Sequence, residues 1–90
     1  MGYAYVIREV NKKTTRSYIR SVASSAANAV TLLELEAGDG ADFLLPPRVI
    51  REMLSQGGYV VVSTENGRCF SISRFSLNTA SQDRQPQMNK

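Results

Sequence analysis

The sequence predicts a small α+β domain in which two antiparallel β-hairpins form a sheet and one or two helices pack on one face of that sheet. Two segments rich in β-branched and aromatic residues fold back around polar turns, one near residues 3–22 and one near residues 59–74. Between them lie an alanine-rich segment and a segment that begins with two prolines and ends with two glycines, both of which are typical of helices.

The chain of 90 residues is short for a domain, so we expect a single core and no large active-site cleft. We place the compact domain at residues 1–75. Residues 76–90 contain one leucine and one methionine among mostly polar residues, and this composition predicts a disordered tail.

The first hairpin consists of YAYVIREV and TRSYIRSV around the polar segment NKKT. A turn centred on the two lysines predicts the pairs Val10 with Thr15, Glu9 with Arg16, Ile7 with Tyr18, Tyr5 with Arg20 and Tyr3 with Val22. Alternation then gives the hairpin an aromatic and basic face and a small, mostly apolar face. The first carries Tyr3, Tyr5, Ile7, Glu9, Arg16, Tyr18 and Arg20, and the second carries Ala4, Val6, Arg8, Val10, Ser17 and Ile19. The pattern does not decide which face the helices cover.

Two helices are predicted between the hairpins. The first extends from about Ser24 to Glu36 and ends at Gly38, with a buried stripe formed by Ala26, Val30, Leu33 and Ala37. An alternative pairs VTLLELE as a strand with ADFLLPP, because LELE alternates like a strand. The second helix extends from Pro47 to about Ser55 with Gly57 as its end. Its predicted buried residues are Val49, Ile50, Met53 and Leu54, and Arg48, Arg51 and Glu52 are expected to face water.

The second hairpin is predicted by Asn66-Gly67, the preferred pair for a two-residue type I′ turn. This turn predicts the pairs Glu65 with Arg68, Ser63 with Phe70, Val61 with Ile72 and Tyr59 with Arg74.

Charge is distributed unevenly along the chain, although the net charge is only +3. Residues 8–20 hold five basic side chains and one acid, whereas residues 34–42 hold four acids and no base. Such asymmetry affects association and steering more than the fold, so it favours a binding function.

Most catalytic and metal chemistry lacks its usual residues. The chain has no histidine, which removes the commonest general base and metal ligand, and its one cysteine, Cys69, is expected to be a small half-buried residue in a strand. The sequence matches neither a phosphate-binding loop nor a dinucleotide fingerprint. We therefore expect no enzyme activity, no cofactor and no metal. The absence of a long apolar run or signal-peptide pattern predicts a soluble, cytoplasmic protein with no membrane partner.

Two binding functions from different classes remain. We favour a non-enzymatic module, an inhibitor or adaptor, that occupies a protein partner, which could itself be a protein that handles nucleic acid. The alternative is a basic hairpin that binds single-stranded DNA or RNA directly through tyrosines and neighbouring charges. The candidate partner-binding residues are Tyr5, Lys12, Lys13, Arg16, Tyr18, Arg20, Glu34, Glu36 and Asp39.

Self-association is a further expectation, because two hairpins leave sheet edges that could pair in a homodimer. No family is recognised from these residues. A compact hairpin–helix domain with a polar tail and no catalytic apparatus is what we would expect among small accessory proteins of phages and plasmids.

Overall fold

The described part of the computed structural model comprises residues 2–38 and 42–77, and the predicted α+β class is confirmed. The elements, in chain order, are β1 (Tyr3–Val10), β2 (Ser17–Ala23), α1 (Ala26–Ala37), α2 (Pro47–Gly57), β3 (Tyr59–Ser63) and β4 (Cys69–Ser76). Strand β4 thus includes Ser76, the first residue of the predicted tail. The tail from residue 78 onward lies outside the described residues.

The four strands form one antiparallel sheet in the order β2-β1-β4-β3. The two hairpins join along β1 and β4, which pair from Tyr3 with Ser76 to Val10 with Cys69. The central strands β1 and β4 belong to different hairpins. Because the last residue of β1, Val10, pairs with the first residue of β4, Cys69, the loops of the two hairpins lie at the same end of the sheet. The helices connect the two hairpins.

The predicted register of the first hairpin is wrong. Its loop spans residues 11–16, and Val10 pairs with Ser17 instead of Thr15. The cause is Asn11, whose side-chain oxygen accepts the backbone N–H of Lys13 at 2.9 Å, with Thr15 in the left-handed conformation at φ 58°. These local bonds favour a longer loop than the two-lysine turn.

A β-bulge shifts the register of the first hairpin once more. Ile7 pairs with Ser21 while Arg8 pairs with Ile19, which leaves Arg20 as the additional residue of β2. The side chains of Arg20 and Ser21 therefore both reach the helix side, where both bond to Glu36.

The second hairpin also differs from its prediction. Its loop has three residues, Glu65 to Gly67, because the Thr64 N–H donates to the Arg68 carbonyl at 2.8 Å and the Gly67 N–H donates to the Thr64 carbonyl at 3.1 Å. Gly67 has φ 96°, a conformation that glycine adopts readily. The one-residue difference from a type I′ turn reverses the faces of β3, so Val60 and Val62 are buried and Val61 is exposed.

Both predicted helices are present. Ser25 caps α1 by accepting the Asn28 N–H at 3.1 Å, and three of the four residues of the predicted stripe are buried, with Ala29 replacing the partly buried Ala26. The strand alternative for VTLLELE is therefore wrong. Helix α2 ends two residues later than predicted, and its predicted core residue Met53 is 41% exposed.

The helices cover the face of the sheet that carries Tyr5 and Ile7. Tyr5 is 6% exposed, and Ile7, Phe70 and Ile72 are completely buried. The core consists of Tyr5, Ile7, Ala23, Ala29, Val30, Leu33, Ala37, Ile50, Leu54, Val60, Val62, Phe70 and Ile72. Of the three tyrosines on this face of the first hairpin, Tyr5 is thus in the core, whereas Tyr3 and Tyr18 are exposed. The opposite face of the sheet is not covered by either helix.

We predict that Gly58→Ala lowers the free energy of unfolding by about 1–2 kcal/mol, because Gly58 is left-handed at φ 73°. An added Cβ would also lie only 3.1 Å from Arg74 Nε. The matched control is Gly57→Ala. Gly57 lies in α2, and a Cβ added there meets nothing within 4 Å, so this substitution should raise the free energy of unfolding by about 0.5 kcal/mol. Urea denaturation of the two variants measures both, and equal effects would contradict the prediction.

Candidate functional site

The sheet face opposite the helices is covered by neither of the two described helices, and we call it the open face. Cross-strand register assigns its residues, because directly paired residues point to the same side. It comprises Ala4, Val6, Arg8, Val10, Ser17, Ile19, Val22, Tyr59, Val61, Ser63, Cys69, Ser71, Ser73 and Phe75.

Large apolar side chains lie exposed on this face. The exposed fractions are 61% for Ile19, 58% for Val22, 56% for Tyr59, 48% for Val61 and 49% for Phe75. Scattered exposed apolar residues are normal on a protein surface, but a group on one sheet face is typical of an interaction surface. The outer strands and the end of β4 contribute all five.

Small side chains occupy the middle of the open face. Cys69, Ser71 and Ser73 project from the central strand β4, between the larger Tyr59 and Val61 of β3 and the residues of β1. This difference in size leaves a shallow depression of ≈ 440 Å³ that crosses all four strands. Cys69 is a free cysteine and is only 7% exposed.

Among the residues that the structure describes, Arg8 is the only charged residue of the open face. It is half-buried, lines the depression, and has Ile19 and Ser71 as its cross-strand neighbours. Among the described residues, no carboxylate forms an ion pair with it. The face therefore combines apolar side chains and hydroxyls with one positive charge.

The loop of the first hairpin adds further positive charge at one end of the open face. Lys12, Lys13 and Arg16 are exposed in this loop, directly beyond Val10 and Ser17. We call these three residues the basic tip. Within residues 2–38 and 42–77, none of the three takes part in an ion pair.

On the helix side, charged groups bind one another. Arg68 donates from Nε and Nη2 to the two carboxylate oxygens of Glu9 at 2.9 and 2.8 Å. Its Nη1 donates to the carbonyls of Glu36 and Ala37, both at 3.1 Å. Arg68 thus binds the C-terminal end of α1 to β1, where a positive charge also interacts favourably with the helix dipole.

Arg20 and Ser21 extend this network on β2. Arg20 Nε lies 3.1 Å from Glu36 Oε1, and the Ser21 hydroxyl donates to Glu36 Oε2 at 2.8 Å. Hydrogen bonds from Ser21 and Arg20 lower the pKa of Glu36 below its ordinary value. The hydrogen bonds from Arg68 likewise lower the pKa of Glu9. At neutral pH both carboxylates are therefore charged and hydrogen-bonded to other residues of this chain.

The structure separates the residues that the sequence nominates for partner binding. Tyr5 is buried in the core, and Arg20 and Glu36 bind each other. The basic tip is exposed, as are Tyr18 at the sheet edge and Glu34 on α1, while Asp39 lies outside the described residues. The nominated residues do not form one surface.

Sequence reasoning did not nominate the apolar residues of the open face. Alternation along β1 does indicate this face, because it correctly places Ala4, Val6, Arg8 and Val10 on the small, mostly apolar face of the first hairpin. The register error in the second hairpin placed Val61 beside Ile72 and so concealed that Val61, Tyr59 and Ile19 share an exposed face.

Comparisons with family models, with curated proteins and with solved structures find no match to this chain. In the described ranges, no helix has the length and apolar character needed to cross a membrane. The same ranges contain no group of three or more cysteine, aspartate or glutamate side chains arranged to hold a metal ion. The function therefore has to be inferred from the surface itself.

We predict that Arg68→Met lowers the free energy of unfolding by about 1–3 kcal/mol, because two hydrogen bonds to Glu9 and two to the carbonyls at the end of α1 are lost while the side-chain volume is nearly kept. Chemical denaturation measures the change. Arg48→Met, at an exposed position of α2, is the matched control and should change stability by less than about 0.5 kcal/mol. Equal losses in the two variants would show that the network contributes nothing specific.

Acid should destabilise the protein through the same network. Folding lowers the pKa of Glu9 and Glu36 below the ordinary value of 4.5. As acid is added, the unfolded chain therefore binds more protons at these two groups than the folded protein does. This contribution is fully present at neutral pH and is lost as the pH falls through the lowered pKa values. We expect Tm to decrease on acidification, and to decrease less steeply in Glu9→Gln. Glu34→Gln serves as the control, and an unchanged slope in Glu9→Gln would contradict the assignment.

Proposed function

We propose that this protein is a non-enzymatic binding module that occupies a partner protein through its open face. The observation that carries the proposal is the group of five exposed apolar side chains on one uncovered sheet face that holds a single charge. Protein interfaces have apolar centres with few charges, and aromatic residues such as Tyr59 and Phe75 are enriched in them. The action of such a module is occupancy, as in an inhibitor or an adaptor.

The geometry favours a protein partner over a nucleic acid. Single-stranded nucleic acid requires exposed aromatic rings beside several phosphate-neutralising charges. Here Tyr5 is buried, and Tyr3 and Tyr18 lie away from the open face. The exposed rings of that face, Tyr59 and Phe75, have Arg8 as the only base among the described residues of the face. The basic tip lies beyond the end of the face and is suited to steering an acidic partner during encounter.

The acidic segment contributes less to this function than the sequence suggests. Glu36 is already bound by Arg20 and Ser21, so it would have to leave this network to contact a partner. Of the acids nominated for binding, Glu34 is the one that the structure describes as exposed. We therefore assign the main contact to the open face, with the basic tip at its edge.

A photo-crosslinking amino acid at Val61 tests this proposal in cells that naturally make the protein. Leu35 provides the matched control position, because it is 69% exposed but lies on α1, on the other side of the sheet. We expect a defined protein adduct from Val61 and none from Leu35. Adducts from both positions, or only from Leu35, would contradict the proposal.

We further predict that Val61→Asp abolishes binding to the partner identified in this way, because the aspartate places an unpaired charge in an apolar interface. Leu35→Asp should leave binding unchanged. Since both side chains are exposed, thermal unfolding should confirm that both variants remain folded.

Titration of labelled single-stranded DNA and RNA at two salt concentrations provides the opposite outcome. Binding tighter than about 10⁻⁶ M that falls steeply with salt, and that is lost when Lys12 and Lys13 are replaced by alanine, would make nucleic acid the target and overturn the proposal.

A further inference from the structure

Arg8 gives the open face a chemical requirement that its apolar residues alone do not explain. Its side chain lines the depression among Ser71, Val10 and Val61 and is already half-buried. In the described part of the chain, the helix-side arginines Arg20, Arg68 and Arg74 all bond to carboxylates or to helix carbonyls. Arg8 has no such bond to any residue within 2–38 and 42–77.

A partner that covers the depression would remove water from the guanidinium of Arg8. Burial of an arginine without an acceptor is costly, whereas a carboxylate can accept two parallel hydrogen bonds from it. The hydroxyls of Ser71 and Ser73 lie in the same depression and can donate to the same group. The depression therefore favours an occupant with a carboxylate among apolar side chains.

We propose that the occupant of the open face is a segment of another protein that presents apolar side chains together with an aspartate or glutamate, and that Arg8 receives this carboxylate. The inference rests on the proposed function and names the chemistry of its partner. The basic tip strengthens the preference for an acidic segment, because Lys12 and Lys13 lie exposed at the end of the same face.

A second copy of this chain fits the face less well. The described residues of the open face include no acid, so face-to-face pairing of two copies would bury two Arg8 side chains without a carboxylate from these residues. The described acids lie instead on the helix side, as Glu9 and Glu36 do, or in loops and on helix surfaces. Charge complementarity thus selects a different protein.

The test selects peptides that bind the full-length protein from a phage library of random 12-residue peptides. The selected peptides are then synthesised with a fluorescent label and titrated with the protein by fluorescence anisotropy. We expect enrichment of aspartate and glutamate beside apolar residues, and affinity at least about tenfold lower for Arg8→Met. Arg8→Lys should recover part of the affinity because it keeps the charge. Arg51→Met, an equal loss of charge on the exposed side of α2, should bind as the wild type does.

The outcomes separate this inference from the proposed function. Peptides without acids, or acidic peptides that bind Arg8→Met as tightly as the wild type, would overturn the role of Arg8 while leaving the face as the binding surface. Peptides that bind Val61→Asp unchanged would overturn the open face itself. A homodimer in light scattering that Val61→Asp dissociates would identify a second copy as the occupant and overturn the inference.

Discussion

The fold depends on two arginines, Arg68 immediately before β4 and Arg74 within it, that bind the C-terminal ends of both helices. Arg68 donates to the last carbonyls of α1, and Arg74 Nη1 donates to the Ser55 carbonyl of α2 at 3.1 Å. Because α1 and α2 run in opposite directions, these two contacts lie toward opposite ends of the sheet. Each arginine also has a second partner. Arg68 binds Glu9, and the guanidinium carbon of Arg74 lies 4.5 Å from the centre of the Tyr3 ring.

This arrangement explains why the two faces of the sheet differ so strongly. The helices and the arginines that hold them share one side, together with Glu9 and Glu36. The other side receives no helix and no acid from the described elements. The two helices of the described ranges cover one side of the four-stranded sheet, and the remaining side is available for another molecule.

The class of fold and most element boundaries could be predicted from the sequence, because they depend on local periodicity and on end signals such as the serines before α1 and the two glycines at the end of α2. The hairpin registers could not. Asn11 and Thr15 form a loop whose hydrogen bonds compete with a tight lysine turn, and Asn66-Gly67 suits a two-residue and a three-residue loop alike. The bond between Arg20 and Glu36 could not be predicted either, because it joins residues 16 positions apart and no local sequence pattern indicates such a contact. For the same reason the apolar half of the candidate site was missed, while the exposed basic tip followed from its turn position.

The bulge in β2 has a consequence for the solubility of a protein with an exposed apolar face. β2 is an edge strand, and an unbroken edge would be a template for adding strands of other copies in an open-ended sheet. The additional residue, Arg20, interrupts the regular spacing of that edge and turns its charge toward Glu36. At the opposite edge, the Leu44 N–H donates to the Ser63 carbonyl at 2.9 Å and so covers the end of β3. The bulge at one edge and the Leu44 contact at the other both disfavour the addition of strands from further copies, although one face of the sheet exposes apolar side chains.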